Sequence, residues 1–522
     1  MPSVREIAHE FLERRGLTTI FGNPGSNELP FLTGLPDSFR YVLGLHEGVV
    51  VGMADGYAQA TGHPVLVNLH AAAGSGNAMG ALTNAVYSRS PLVLTAGQQV
   101  RSAIGLEAML ANVDATSLMR PLVGWSGEPS CAVDVPRSLA QAVFEAELQR
   151  RPTYLSVPYD DWSAEVADNP VTTRSVSRGL LPHEAQLDEL ARRLDAARNP
   201  VLVLGGDVDA LGLFDRVVAL AERRALPVWV APSPHRLPFP NRHPFFRGVL
   251  PAGIGSLSAQ LAGHDLVLVL GAPVFRYHQH VPGPFLPGGA DLVQVTDDPG
   301  EAARAPVGES LVAAAGPVVD GLLARLSDRE PARSGFAPAP EPATGERALH
   351  PEQVFAALRD TQPADTAYVV ESTSTNSAWW RQMDLRAPGS YFWPAAGGLG
   401  FGLPAAVGVA MGSPGRPVVG VIGDGSANYG ITALWTAAQY AVPVTFVVLR
   451  NGSYGALRWF ADVLGTAGVP GTEIPGLDFT GIASGYGVPA TTVSDVDELR
   501  ARLEVAPTGP RLIQVDTELT TP

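Results

Sequence analysis

The residues whose spacing carries most chemistry lie in the last third of the chain. An apolar run at 418–422 leads into Gly423-Asp424-Gly425-Ser426-Ala427-Asn428, and a helical stretch follows from Ile431. A strand, a glycine turn and a helix start make a phosphate site. Glycine lets the backbone approach, the helix N-terminus supplies N–H donors and a favourable dipole, and a carboxylate such as Asp424 holds the accompanying cation. The next apolar run, 444–449, ends in Arg450-Asn451-Gly452-Ser453-Tyr454. Parallel pairing of the two runs places Asn451 beside Asp424 at the carboxyl edge of a sheet, where α/β proteins bind ligands. A carboxylate, an amide oxygen and a main-chain carbonyl form a sparse Mg²⁺ site that leaves positions for phosphate oxygens and water. The same residues also suit two ordinary βα turns, one with an N-capping Asp.

Other residues suit proton transfer. Glu47 lies between Leu45 and Val49-Val50-Val51, an apolar setting that desolvates a carboxyl and readies it to share a proton. A helix-start carboxylate facing the dipole is the plainer alternative. His70 ends the apolar run 65–69, where a carboxyl-edge ligand would sit, and imidazole exchanges protons near neutral pH. Ser26 stands on a Gly/Pro loop after the run 19–21 and offers a hydroxyl to a substrate carboxylate. His278 and His280 lie in a stretch rich in Pro and Gly, and either imidazole can face a site.

Short β-branched runs that alternate with longer Ala/Leu-rich segments of helical period position these groups. That pattern predicts an α/β fold of βαβ units with parallel sheets buried on both faces. The predicted strands, at 65–69, 92–95, 154–157, 201–204, 228–231, 266–270, 418–422, 444–449 and 512–515, fall into three clusters. Three doubly wound parallel-sheet domains are expected, at 1–163, 181–329 and 348–522, joined by aperiodic linkers at 164–180 and 330–347.

Composition narrows the classes. A net charge of -15 without any basic run argues against nucleic-acid binding, which concentrates cations on phosphates. The single cysteine, Cys131, excludes an intrachain disulfide and a Cys-based zinc site and suits a reducing compartment, so the cytoplasm is expected. No signal-peptide core and no membrane-length apolar stretch is present, and no membrane partner is expected. With 46% apolar and 17% charged residues, the composition suits surface buried between subunits.

The Gly423-Asp424-Gly425 turn and the later Asn451 resemble the cofactor motif of the thiamine diphosphate-dependent 2-oxo-acid decarboxylase and acetolactate synthase superfamily. The likeness spans the chain, because Leu45-His46-Glu47 followed by Ala54-Asp55-Gly56-Tyr57-Ala58 is similar to the segment that carries the superfamily's catalytic glutamate. Five further stretches resemble the benzoylformate decarboxylase family. They are Phe21-Gly22-Asn23-Pro24-Gly25-Ser26-Asn27-Glu28, Asn68-Leu69-His70, Phe275-Arg276-Tyr277-His278, Glu371-Ser372-Thr373-Ser374 and Tyr454-Gly455-Ala456-Leu457-Arg458-Trp459-Phe460. One departure is Arg450, where the motif usually carries a first asparagine.

The resemblance implies non-oxidative decarboxylation of an aromatic 2-oxo acid. In it Glu47 shares a proton with the cofactor's aminopyrimidine, Ser26 orients the substrate carboxylate, and His70 and His278 relay protons. It selects His278 over His280. It implies that Asp424, Asn451 and the Ser453 carbonyl bind Mg²⁺, with Ca²⁺ as the other hard cation, and that Thr373, Ser374, Gly425, Ser426 and Tyr454 hold the diphosphate. Gly397 matches the carbonyl that accepts from the amino group, and Leu399 the wedge that bends the cofactor; taken alone, that segment suits a tight turn. Pro24, Leu110, Ala456, Leu457 and Phe460 match the aryl pocket, which Trp393-Pro394 is expected to reshape. A homotetramer with sites across dimer interfaces follows, with catabolism of mandelate as its setting. Gly205-Gly206-Asp207 and Gly271-Ala272-Pro273 lack a full dinucleotide fingerprint and are read as structural. The alternatives are a carboligase or 2-hydroxy ketone lyase of the same superfamily and a non-catalytic cofactor-binding homologue.

Overall fold

Val, Leu and Ile recur in runs too short for helices, and the strands they form are buried at nearly every position, as parallel strands covered on both faces must be. The computed structural model describes residues 1–167, 174–329, 335–466 and 468–520. It contains three parallel six-stranded sheets flanked by helices, so the chain has the predicted α/β fold. The first holds β1 (Thr19–Gly22), β2 (Arg40–Leu43), β3 (Val65–Leu69), β4 (Leu92–Gln98), β5 (Trp125–Gly127) and β6 (Thr153–Pro158), in the order β2-β1-β3-β4-β6-β5. The second holds β7 (Pro200–Leu204), β8 (Val228–Val230), β9 (Phe246–Val249), β10 (Leu266–Leu270), β11 (Asp291–Thr296) and β12 (Glu309–Val312), in the order β12-β11-β10-β7-β8-β9. The third holds β13 (Ala367–Glu371), β14 (Tyr391–Phe392), β15 (Val418–Gly423), β16 (Thr445–Arg450), β17 (Ala490–Val493) and β18 (Arg511–Asp516), in the order β14-β13-β15-β16-β18-β17.

Three of the nine strands predicted from sequence fall in each sheet, and all nine are central or nearly so. Of the six edge strands, β2, β5, β9, β12 and β17 are short and partly exposed, so no apolar run marks them. Parts of both predicted linkers, 168–173 and 330–334, lie outside the described residues; 174–180 and 335–347 contain neither helix nor strand.

In each sheet the chain leaves a first strand in one direction and later continues on its other side, so that connections part between β1 and β3, β7 and β10, and β13 and β15. Such a switch point opens a crevice at the carboxyl ends of the two strands. In the middle sheet this crevice is filled. Arg89, from the first sheet's side, reaches across to Asp207 after β7 and to Asp297 after β11, leaving a cavity of about 20 Å³ among Gly205, Gly206, His235 and Gly271. Burial pushes the Asp207 carboxyl up, yet Arg150 and Arg89 hold it well below the ordinary carboxylate range. The residues singled out for chemistry in the sequence lie at the other two crevices, His70 after β3 and Asp424 after β15. The chain contains no lysine, so all of its ion pairs among the described residues are made by guanidinium or imidazole groups. No helix among the described residues is long and apolar enough to cross a membrane.

Candidate active site

The crevice of the third sheet is walled by the ends of β13 and β15. After β13, Thr373–Thr375 forms a single 3₁₀ turn; after β15, a one-turn helix runs from Asp424 to Ala427. The helix therefore begins at Asp424 itself, ahead of the predicted start at Ile431, and the longer helix is Ala433–Gln439. Parallel register pairs Gly423 with Leu449 and brings Asn451 to Asp424 as predicted. Asp424 Oδ1 accepts from Gly425 N (2.8 Å), and Oδ2 accepts from Asn451 N (2.9 Å) and Gly452 N (2.7 Å). Asn451 Oδ1 accepts from Ser453 N (3.0 Å), which closes the loop into a tight turn beside Asp424. Burial raises the Asp424 carboxyl against those three amides, and it makes no ion pair among the described residues. A buried carboxylate without a cation is costly, so this donor set of hard oxygens fits a divalent ion. Arg450 turns away from it into a two-pronged pair with Asp516, both contacts 2.7 Å.

The surrounding backbone fits a diphosphate. A Cβ on Gly425 would lie 2.4 Å from the Tyr454 ring, so only glycine lets Tyr454 close over the turn. Ser426 is buried, and Ser374 lies against Gly455, its carbonyl accepting from Thr520 Oγ1 (3.1 Å). Gly397 adopts φ 73° in an exposed turn, and Leu399 follows half-buried. That segment is fixed by Glu371, whose role the sequence did not disclose. Glu371 Oε1 accepts from Gly400 N (2.8 Å) and Phe401 N (3.3 Å), and Oε2 from Gly402 N (2.7 Å). Its burial pushes the carboxyl up to about 7. An ionisable residue closing an apolar strand at its carboxyl edge was the available signal.

At the crevice of the first sheet, β1 leads into the loop carrying Pro24 and Ser26, and β3 ends at His70. Ser26 is exposed, and its hydroxyl donates to Asn27 Oδ1 (3.3 Å). His70 Nδ1 lies 2.8 Å from Glu28 Oε2, and a Cβ on Gly25 would strike the ring. Glu28, quoted only as part of a motif above, accepts in addition from Gly25 N (2.9 Å), Ala71 N (3.1 Å) and Gly97 N (2.7 Å). Ala71 is held at φ 42°, a strained value for a residue with a side chain, directly after the histidine. Glu47 is buried at the start of the helix Glu47–Thr61, but Leu45 is 43% exposed and does not cover it. The predicted apolar setting is corrected accordingly: Asn77 Nδ2 (3.1 Å) and Asn23 Nδ2 (3.4 Å) donate to the carboxylate, and Gly74 packs against it.

The helix Gly455–Val463 carries Ala456, Leu457 and Phe460, and Leu457 is 52% exposed. The His278 ring meets Phe460 edge to face, with centroids 4.8 Å apart, so His278 packs against this helix. Leu110 sits at φ 68° on a separate loop. The Trp393 ring is buried in the third sheet's core and stacks on Tyr391. No hydrogen bond or ion pair among the described residues joins Ser26, His70 or Glu47 to Asp424, Asn451 or Ser453. The two groups of residues lie at the crevices of different sheets, the first and the third.

The chain matches three thiamine pyrophosphate enzyme models in order: the N-terminal TPP binding domain over residues 2–118, the central domain over 187–322 and the C-terminal TPP binding domain over 372–515. It is 58% identical to a benzoylformate decarboxylase of Pseudomonas aeruginosa, over 100% of both chains. A solved thiamine diphosphate-dependent 4-hydroxybenzoylformate decarboxylase of Rhodococcus jostii superposes with a TM-score of 0.96 at 56% identity, over 99% of both chains. A benzoylformate decarboxylase structure from Polynucleobacter necessarius gives 0.96 at 38% identity, again over 99% of both. With its three sheets matched in order and its full length shared with these relatives, the chain belongs to the thiamine pyrophosphate enzyme family.

Proposed function

We propose that this protein is a thiamine diphosphate-dependent decarboxylase that converts benzoylformate, or a close aryl relative, to the aromatic aldehyde and CO₂. The observation that carries this reading is identity of 58% across the whole chain to an enzyme named for that reaction. When bound, the cofactor supplies the electron sink that takes up the pair left as CO₂ departs. The chain's residues do the rest. Asp424, Asn451 and the Ser453 carbonyl hold Mg²⁺, with Ca²⁺ as the other hard cation, and Thr373, Ser374, Gly425, Ser426 and Tyr454 hold the diphosphate. Leu399 shapes the bound cofactor and the Gly397 carbonyl receives its amino group. Glu47 keeps a proton at the aminopyrimidine ring nitrogen. Ser26 donates to the substrate carboxylate, and His70, oriented by Glu28, exchanges a proton at the reacting centre, as does His278.

Pro24, Leu110, Ala456, Leu457 and Phe460 take the aryl ring. Each group of residues in one chain completes the other group of its partner across a dimer interface, within a homotetramer. The functional units are 1–163, 181–329 and 348–522, with 164–180 and 330–347 as linkers. The setting is cytoplasmic breakdown of mandelate-type acids. The test is aldehyde and CO₂ release from benzoylformate, 4-hydroxybenzoylformate and pyruvate, with and without thiamine diphosphate and Mg²⁺. Cofactor-dependent release from the aryl acids with little from pyruvate is expected. Release from pyruvate alone would overturn the aryl pocket, and release from none would overturn the decarboxylase.

A further inference from the structure

The segment 395–402 is rich in glycine, with Gly397 at φ 73° and Gly400 at φ 96°, and such a stretch has little conformational preference of its own. It is nevertheless pinned at six backbone groups by three polar side chains, each contributed by a different sheet's unit. Glu371 takes the N–H groups of Gly400, Phe401 and Gly402 from the third. Arg276, from the middle, donates to the Ala395 carbonyl (3.0 Å) while its other nitrogen donates to the Tyr87 carbonyl (2.9 Å). Asn84 comes from the first. Its Nδ2 donates to the Gly398 carbonyl (2.8 Å), and its Oδ1 accepts from Ala396 N (3.0 Å).

Asn84 thus grips the residue before and the residue after Gly397, and its clasp leaves the Gly397 carbonyl itself unused. It is 2% exposed, so both ends of its amide are committed to this loop in a place where an unpaired amide would be costly. It sits near the end of the helix Ala71–Tyr87, which starts directly after His70 and supplies Asn77 to Glu47. We propose that Asn84 is a positioning residue: it sets the direction of the Gly397 carbonyl and the height of the Leu399 side chain, and so fixes the cofactor's aminopyrimidine for activation. The proposal rests on the assignment of Gly397, Leu399 and Glu47 given above.

Three variants of the purified holoenzyme test it: Asn84→Ala, Asn84→Asp, which keeps the shape and the acceptor but loses the donor to Gly398, and Glu47→Gln as the reference. The readouts are the rate of hydrogen–deuterium exchange at C2 of bound thiamine diphosphate, followed by NMR after acid quench, and the cofactor Kd from tryptophan fluorescence. kcat and KM for benzoylformate, near-ultraviolet circular dichroism of the bound aminopyrimidine and the melting temperature complete the set. Both Asn84 variants should slow C2 exchange and kcat together by roughly 10- to 100-fold, the loss that a misplacement of about 1 Å brings. Cofactor Kd and substrate KM should stay within about threefold. Wild-type exchange in either folded variant overturns the proposal, as does a loss that only tracks cofactor occupancy. If Asn84→Ala fails to fold, Asn84→Asp decides on the same criteria. Undiminished exchange in Glu47→Gln would instead overturn the reading beneath, and the proposal with it.

Discussion

Glu28 spends its carboxylate on three backbone amides and the His70 ring, and it is buried. Replacing it with glutamine turns one acceptor into a donor that faces donors. Glu28→Gln should therefore cost about 1–3 kcal/mol of stability and lower kcat at least tenfold through a misdirected His70, as read by urea unfolding and steady-state kinetics. Glu47→Gln should behave differently: cofactor binding persists while turnover is lost, and unchanged turnover would remove Glu47 from its role. The contrast also shows what was legible at this scale. Glu47, His70 and Asp424 could be singled out by residue type and neighbours, but only the family likeness set their roles apart from plain structural ones. Glu28 could not, because apart from Gly25 its partners lie 42, 43 and 69 positions away, where no local spacing points to them.

Elements decide how such groups are held. Burial pushes Glu371 up to about 7 against three amide donors, so the folded chain binds that proton more tightly than the unfolded chain. Its contribution is complete below the ordinary value of 4.5 and is lost as pH rises through about 7, a change on the order of 3 kcal/mol. Glu371→Gln carries no such proton. The gap in urea midpoint between wild-type and variant apoprotein should accordingly move against the wild type as pH passes from about 5 to 8, and a constant gap would contradict this. Gly425→Ala forces a methyl onto the Tyr454 ring, 2.4 Å away, and should weaken cofactor binding at least tenfold in a titration. Central strands were legible as apolar runs. The one-turn helix at Asp424 was not, since Asp-Gly-Ser reads as a turn and only the tertiary setting makes it helical.

At the scale of the whole molecule, the middle unit is tied to the first through buried charge. Arg89 serves Asp207 and Asp297, and Arg150 shares Asp207. Arg89→Met leaves Asp207 with half its compensation and should cost about 3–5 kcal/mol, seen as a lowered melting temperature. Arg89→Met combined with Asp207→Asn should recover part of that loss. Sequence order located three units but could not show that the middle crevice is filled by an arginine from another unit, because that contact joins positions 118 residues apart. The reliance on arginine has a further consequence. An aromatic aldehyde condenses with deprotonated primary amines, and a guanidinium, charged at every working pH, offers none. A chain with no lysine side chain gives a released aldehyde no side-chain amine to modify. Intact-mass measurement after prolonged incubation with benzaldehyde and a reducing agent should accordingly reveal no ladder of side-chain adducts. Freedom from self-inflicted imine formation on side chains is thus written into which basic residue the chain uses.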